Sequence, residues 1–322
     1  MMDLRLENIL LDIFQEDINN NKAQTYITQI TILTIKSLIP SVNEIGNRID
    51  YRRFYEELKL WKYYSLGENN SLLNILGDID EDVYFSLNDS TLYSRIIPII
   101  LANEKHDIIE DEIIKNIIYS TGNIQNLLEW VTIGRLLYLV IEKEEDIIEK
   151  LKEYLINISQ VDFLDRYERL YKVNINKYPG NYKIIFERER LNLLNLLNGI
   201  SINEYTILKD IMDVLEGDSP MTEFGKIIYN STENGKNDYR LNEFYFDMND
   251  YIFKLRKSRI NPNDLVINEY ILPDVFSFNE GEMFFHSLFK NCKVIKKEVR
   301  NGTLTSLIGT RTGMYLFKKN PI

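Results

Sequence analysis

The chain of 322 residues holds one cysteine and two histidines, and these shortages set the first limits. A lone thiol, Cys292, can form no internal disulfide and no Cys-built zinc site. His106 and His286 leave too few ligands for a histidine-rich metal centre. No serine lies in a G-x-S-x-G turn, and neither a Walker loop nor a dinucleotide fingerprint occurs. Seven prolines and 14 glycines are sparse punctuation, which suits long helices better than many short strands. Long apolar runs are missing too: the stretch 136–141 is typical, far below the roughly 20 residues of a membrane helix. Positive charge is in deficit. Lys plus Arg number 38 against 49 acids, a net charge of −11, which argues against gripping nucleic acid or anionic lipid over a broad face. It leaves room for a small local basic patch. Residues 1–17 carry Asp3, Glu7, Asp12, Glu16 and Asp17 without a basic start and apolar core, so no export signal is expected and a cytoplasmic location is.

What is present is globular: 44% hydrophobic and 27% charged residues, enough chain for one large domain or two ordinary ones. Apolar residues recur at helical spacing. Ile113, Ile114, Ile117 and Ile118 share one face, as do Leu127, Leu128, Val131, Gly134, Leu137 and Tyr138. The charged run 142–146 is expected to divide that stretch into two helices. Stretches 191–197 and 207–215 read as amphipathic helices and 182–186 as a strand. The turn cluster 216–220 and the polar stretch 230–240, with Asn234-Gly235, read as loops.

Several candidate chemistries have plainer readings. Asp78, Asp80 and Asp82 start with calcium-loop spacing and Asp89 falls at the twelfth position. No glycine stands at the sixth position, however, and a solvated acidic loop is expected. The mixed charges of 142–149 read as a solvated helix face. His106 is expected in an exposed loop. His286, in Met283-Phe-Phe-His-Ser-Leu-Phe289, is expected on an aromatic helix at the edge of the core. Cys292 reads as a structural thiol.

Four segments, in order, resemble the ADP-ribosylglycohydrolase family. In the first, Thr25-Tyr26-Ile27-Thr28-Gln29-Ile30-Thr31 follows the family's Thr-Asp-Asp-Thr and Gln-Met-Thr pattern, with Tyr26 and Ile27 in place of both aspartates. The second, residues 54–61, is similar to the family's helix ending in Trp, here Trp61, and Gly67 fits the glycine loop after it. The third, residues 90–98, matches at Arg95, Ile96 and Pro98. Thr121-Gly122 stands where the family has Thr-His. In the fourth, Arg300-Asn301-Gly302-Thr303 takes the place of Asp-x-Asp-Thr. Arg300 and Gly302 replace the aspartates, and Gly309 and Gly313 keep the glycine spacing of a following helix. The resemblance covers residues 20–150 and 270–322.

The resemblance implies an all-α fold. It would be one large helical domain over 1–322, with a divergent insertion or subdomain at 160–265. It implies a cleft formed by Thr25, Tyr26, Thr28, Gln29, Arg95, Thr121, Arg300 and Thr303. In the family that cleft holds two magnesium ions and cleaves ADP-ribose from an acceptor. Magnesium needs hard, mostly carboxylate oxygens in near-octahedral geometry. Replacing four aspartates, and adding Arg300, removes that donor set. The expected protein is therefore a non-catalytic relative without metal or other cofactor. It would bind a protein partner, or an ADP-ribose-like nucleotide through Arg95 and Arg300. The family analogy suggests a setting in defence, counter-defence or immunity. The alternative is a magnesium-dependent hydrolase with a displaced site using Asp78, Asp80, Asp82, Asp274 or Glu280. A third reading is an unrelated helical protein.

Overall fold

The computed structural model describes residues 2–41, 44–158, 160–200, 202–235 and 238–320. Its helical body begins with α1 (Leu6–Asn21) and α2 (Tyr26–Ser37), joined by a turn in which Lys22 takes φ 59°. A short ribbon follows, β1 (Leu38–Pro40) antiparallel to β2 (Asn47–Ile49). Then come α3 (Tyr51–Tyr64), α4 (Asn70–Asn74), α5 (Glu81–Ser86), α6 (Tyr93–Ala102), α7 (His106–Ser120) and α8 (Ile124–Ile141). Local chemistry marks many of the helix starts. Asp50, Asn69, Asp80 and Asn123 each accept a hydrogen bond from a first-turn N–H of α3, α4, α5 and α8.

α6 is the centre. All of its residues from Tyr93 to Ala102 are buried, and it touches α1, α2, α7, α8 and the helix Glu243–Arg256. α8 is long and apolar enough, by length and composition, to cross a membrane. In this fold it is a core helix instead, packed against α7 and the helices Ile147–Asn157, Tyr182–Leu197 and Thr206–Glu216. Shorter apolar runs separated by Gln125, Asn126, Glu129 and Arg135 add up to that length only once the whole turn sequence is helical.

The middle of the chain continues with α9 (Ile147–Asn157), α10 (Gln160–Tyr167), α11 (Tyr182–Leu197), α12 (Thr206–Glu216), α13 (Glu223–Asn230) and α14 (Glu243–Arg256). α11 corrects the expected strand at 182–186. Asn181 caps Ile184 N–H, and the apolar run continues at helical spacing through Phe186, Leu193 and Leu197. A run of five apolar or aromatic residues does not by itself separate strand from buried helix. α11 packs on α8 and α9, α12 on α8, α13 on α1, and α14 on α1 and α6. One apolar cluster thus runs from Ile9 to Leu255. Within the polar stretch 230–240, Lys236 and Asn237 lie outside the described residues.

The all-α expectation is corrected at the C-terminus. The body is mostly helical, but β3 (Met283–His286), β4 (Lys290–Arg300), β5 (Thr303–Thr310) and β6 (Gly313–Lys319) form an antiparallel sheet in the order β3-β4-β5-β6. The reason is local. Asn301 and Gly302 take φ 50° and 80°, the positive pair of a tight hairpin turn, and Arg300 pairs with Thr303. Cys292, Val294, Ile308 and Phe317 then point to one side, the alternation of a half-buried sheet. The expected C-terminal helix with Gly309 and Gly313 on one face does not form. Gly309 lies under Ile295, where a Cβ would come within 3.2 Å of that side chain, and Gly313 follows the β5–β6 turn. His286 sits on a strand rather than a helix, and is buried. The sheet has its own apolar cluster, which reaches the body through Leu60, Tyr63 and Tyr64 of α3.

Candidate functional site

Thr25 is the N-cap of α2, and its hydroxyl accepts from Ile27 N–H. Its partner is a residue the sequence did not single out. The Asp17 carboxylate accepts from Thr25 N–H at 2.8 Å and Thr25 Oγ1 at 2.6 Å. It also accepts from Thr28 N–H at 3.2 Å and Thr28 Oγ1 at 2.6 Å. A negative charge at a helix N-terminus also complements the helix dipole. Tyr26 lies under Gly67: a Cβ there would be 2.7 Å from the Tyr26 ring, and φ is +114°. Burial raises the Tyr26 phenol above its ordinary value, against a hydrogen bond with Thr91. Gln29 bridges to α3 and the loop after it. Its carbonyl accepts from Trp61 Nε1 and Leu66 N–H, and its amide donates to the Tyr64 carbonyl.

Arg95 is fully buried on α6. It donates to the Asn116 carbonyl and side chain and to Ser120 Oγ, and stands 3.5 Å from Asp89. Asp89 in turn accepts from Asn69, Ser71 and Thr91. Burial pushes the Asp89 carboxyl up. The Arg95 guanidinium and those hydrogen bonds outweigh it, so the group ends below the usual carboxylate value. Tyr26, Thr91, Asp89 and Arg95 therefore form one connected polar chain, which brings the first and third segments of the resemblance together.

The remaining residues lie elsewhere. Thr121, the C-cap of α7, sets its Oγ1 3.2 and 3.1 Å from the Tyr84 and Leu87 carbonyls. Arg300 is exposed at the end of β4 and pairs with Glu298. Thr303, across the hairpin, donates to the Asn320 side chain. Among the alternative acids, Asp80 caps α5, Asp274 pairs with Lys319 at 3.7 Å, and Glu280 accepts from Lys297 N–H. Among the described residues, no group of three or more His, Cys, Asp or Glu side chains is placed to hold a metal ion.

A separate cleft of about 380 Å³ opens between α2, α3, the start of α14 and β6. Its walls include Gln29, Lys36, Tyr64, Tyr245 and Tyr315. At its floor Lys36 meets the fully buried Glu57 at 2.5 Å. The Lys36 ammonium also lies 5.2 Å from the centre of the Phe289 ring. Tyr64 packs edge-on against Tyr315 and Phe317. Burial, then the Glu57 charge, raises the Tyr64 phenol well above its ordinary value, so it stays neutral and serves as a packing group. Behind the cleft, burial and the Lys36 charge lower His286 to about 4, so its imidazole is neutral at physiological pH. Its Nδ1 accepts from Leu288 N–H. Of the residues the resemblance assigned to a cleft, Gln29 lines this one; its other walls come from elements up to some 280 residues away, as far as Tyr315.

Comparison with family models, with curated proteins and with solved structures finds no significant match to this chain.

Proposed function

We propose that this chain is a non-catalytic, ADP-ribosylglycohydrolase-like protein that acts in the cytoplasm by binding a protein partner. One observation carries the reading. The polar groups expected to face a ligand are spent on the fold itself. Asp17 takes both hydroxyls of Thr25 and Thr28, and Arg95 is consumed by Asp89, Asn116 and Ser120. Groups that are buried and satisfied stabilise a scaffold, and they are not available to a substrate without breaking that scaffold. The partner is a protein because the outer side of the C-terminal sheet leaves Met283, Phe285, Met314 and Leu316 exposed.

A second reading, an ADP-ribose-like nucleotide, is favoured by the cleft: tyrosine rings for a base and the Lys36 ammonium for a phosphate. The test is thermal unfolding with and without ADP-ribose, each with and without magnesium, alongside release of ADP-ribose from a modified protein. The partner-binding reading expects no release and no shift. A ligand at 100 times its dissociation constant adds roughly 2.7 kcal/mol, so a magnesium-independent shift would select the nucleotide reading. Magnesium-dependent release would select the displaced-site hydrolase and overturn the proposal.

A further inference from the structure

We propose that β6 is a docking edge, to which an extended acidic segment of the partner adds as a further strand. The inference rests on the partner-binding reading and specifies how binding occurs. β6 ends the sheet and, among the described residues, pairs with β5 alone. Consecutive residues of β6, Gly313 to Leu316, all line the cleft. Neighbouring side chains of a strand point to opposite faces, so a wall built from an unbroken run is the strand's edge. The open edge of β6 therefore faces a groove whose other wall is the helical body, with Gln24, Asn242 and Phe244. A bound strand would run along seven residues, Gly313–Lys319, with its side chains alternating between two environments. One is the exposed face of Met314 and Leu316; the other is the aromatic floor of Tyr64, Tyr315 and Lys36.

Charge decides the occupant. From Met283 to Lys319 there are eight Lys or Arg and one acid, Glu298; with Asp274, Glu280 and Glu282, which lie against the same sheet, the local charge is +4. The rest of the chain therefore carries −15 to give the total of −11. Such segregation draws an acidic partner to the sheet and repels it from the body. A nucleic-acid strand fits less well, because base stacking wants several exposed aromatic faces and the outer side of the sheet exposes only Phe285 among its aromatics. A second copy paired edge to edge would set one basic sheet against another.

The experiment uses the full chain and a fluorescent 12-residue peptide of alternating Glu and Val with blocked ends, followed by anisotropy at low salt. Two N-methylated versions of the peptide block its amides on one edge or on the other. Strand addition expects one version to lose at least tenfold in affinity and the other to bind as the parent does. Lys318→Glu and Met314→Ser, both at exposed positions, should each weaken binding severalfold with unchanged circular dichroism. Raising the salt to 0.5 M should weaken it as well. Equal binding of both N-methylated peptides overturns strand addition, as does absence of peptide binding. Tighter binding of a dT12 oligonucleotide or of phosphatidylserine vesicles overturns the choice of occupant. A dimer in light scattering that Lys318→Glu strengthens assigns the edge to a second copy. ADP-ribose release by the same preparation would instead overturn the underlying partner-binding reading.

Discussion

Asp17 Oδ2 lies 2.6 Å from Thr28 Oγ1, joining the last turns of α1 to the first turn of α2. The same carboxylate holds Thr25, so one charge satisfies two hydroxyls and two N–H groups at a helix start. Asp17→Ala leaves those donors without their acceptor. The expected loss is about 2–4 kcal/mol, from the cap and from charged hydrogen bonds. Urea unfolding measures it; a change within 0.5 kcal/mol would show that water replaces the carboxylate.

Arg95 and Asp89 make the second prediction. Removing one partner of a buried ion pair strands the other charge. Arg95→Met is expected to cost about 3–5 kcal/mol. Adding Asp89→Asn should recover part of that loss, because the stranded charge is gone while Asn69 and Ser71 keep a polar neighbour. A double variant as unstable as the sum of the two singles would contradict the pairing.

Two buried acids and two histidines oppose one another between about pH 4 and 7: Asp12 and Glu129 lower stability as the pH rises, while His106 and His286, both lowered to about 4, raise it, so the net profile is shallow. Burial raises Asp12 from 3.8 to about 6 and Glu129 from 4.5 to about 7. In the folded state both hold a proton that the unfolded chain has already released. Their contribution is present below the ordinary values and is lost as the pH passes the raised ones. Glu129 accepts from Ile207 and Leu208 N–H, which Gln can also do. Glu129→Gln removes one downward contribution, so the melting-temperature profile should tilt upward between pH 4.5 and 7. An unaltered profile would assign the pH dependence to other groups. Asp89 acts in the opposite sense, losing its contribution as the pH falls, and so limits stability on the acid side.

The hairpin between β4 and β5 depends on positive φ at Asn301 and Gly302. Gly302→Ala is expected to destabilise the sheet by about 1 kcal/mol, since a Cβ disfavours the left-handed region. Hydrogen exchange at β4 and β5 amides would report it, while the buried amides of α6 should be unaffected. Equal loss of protection in both places would mean that the sheet and body unfold as one unit.

The local sequence already determined much of this molecule. Helical spacing marked α7 and α8, because burial of one face imposes the 3.6-residue period. Asn301-Gly302 between alternating apolar residues carried the hairpin, because few other residues tolerate paired positive φ; the resemblance to a helix-forming motif obscured that signal. The buried, structural character expected of His286 and Cys292 was legible from their apolar neighbours, though not the strands that carry them. Tertiary structure alone decided what the polar residues do. Asp17 looks like any other surface acid in the sequence and Asp89 like the end of an acidic loop, and their roles come from elements that meet only on folding. The cleft likewise joins Lys36 to Glu57 and Tyr315 across three elements. Short-range pattern encodes local backbone geometry, whereas a site is a set of distances between residues far apart in the chain, and those exist only after the core has packed.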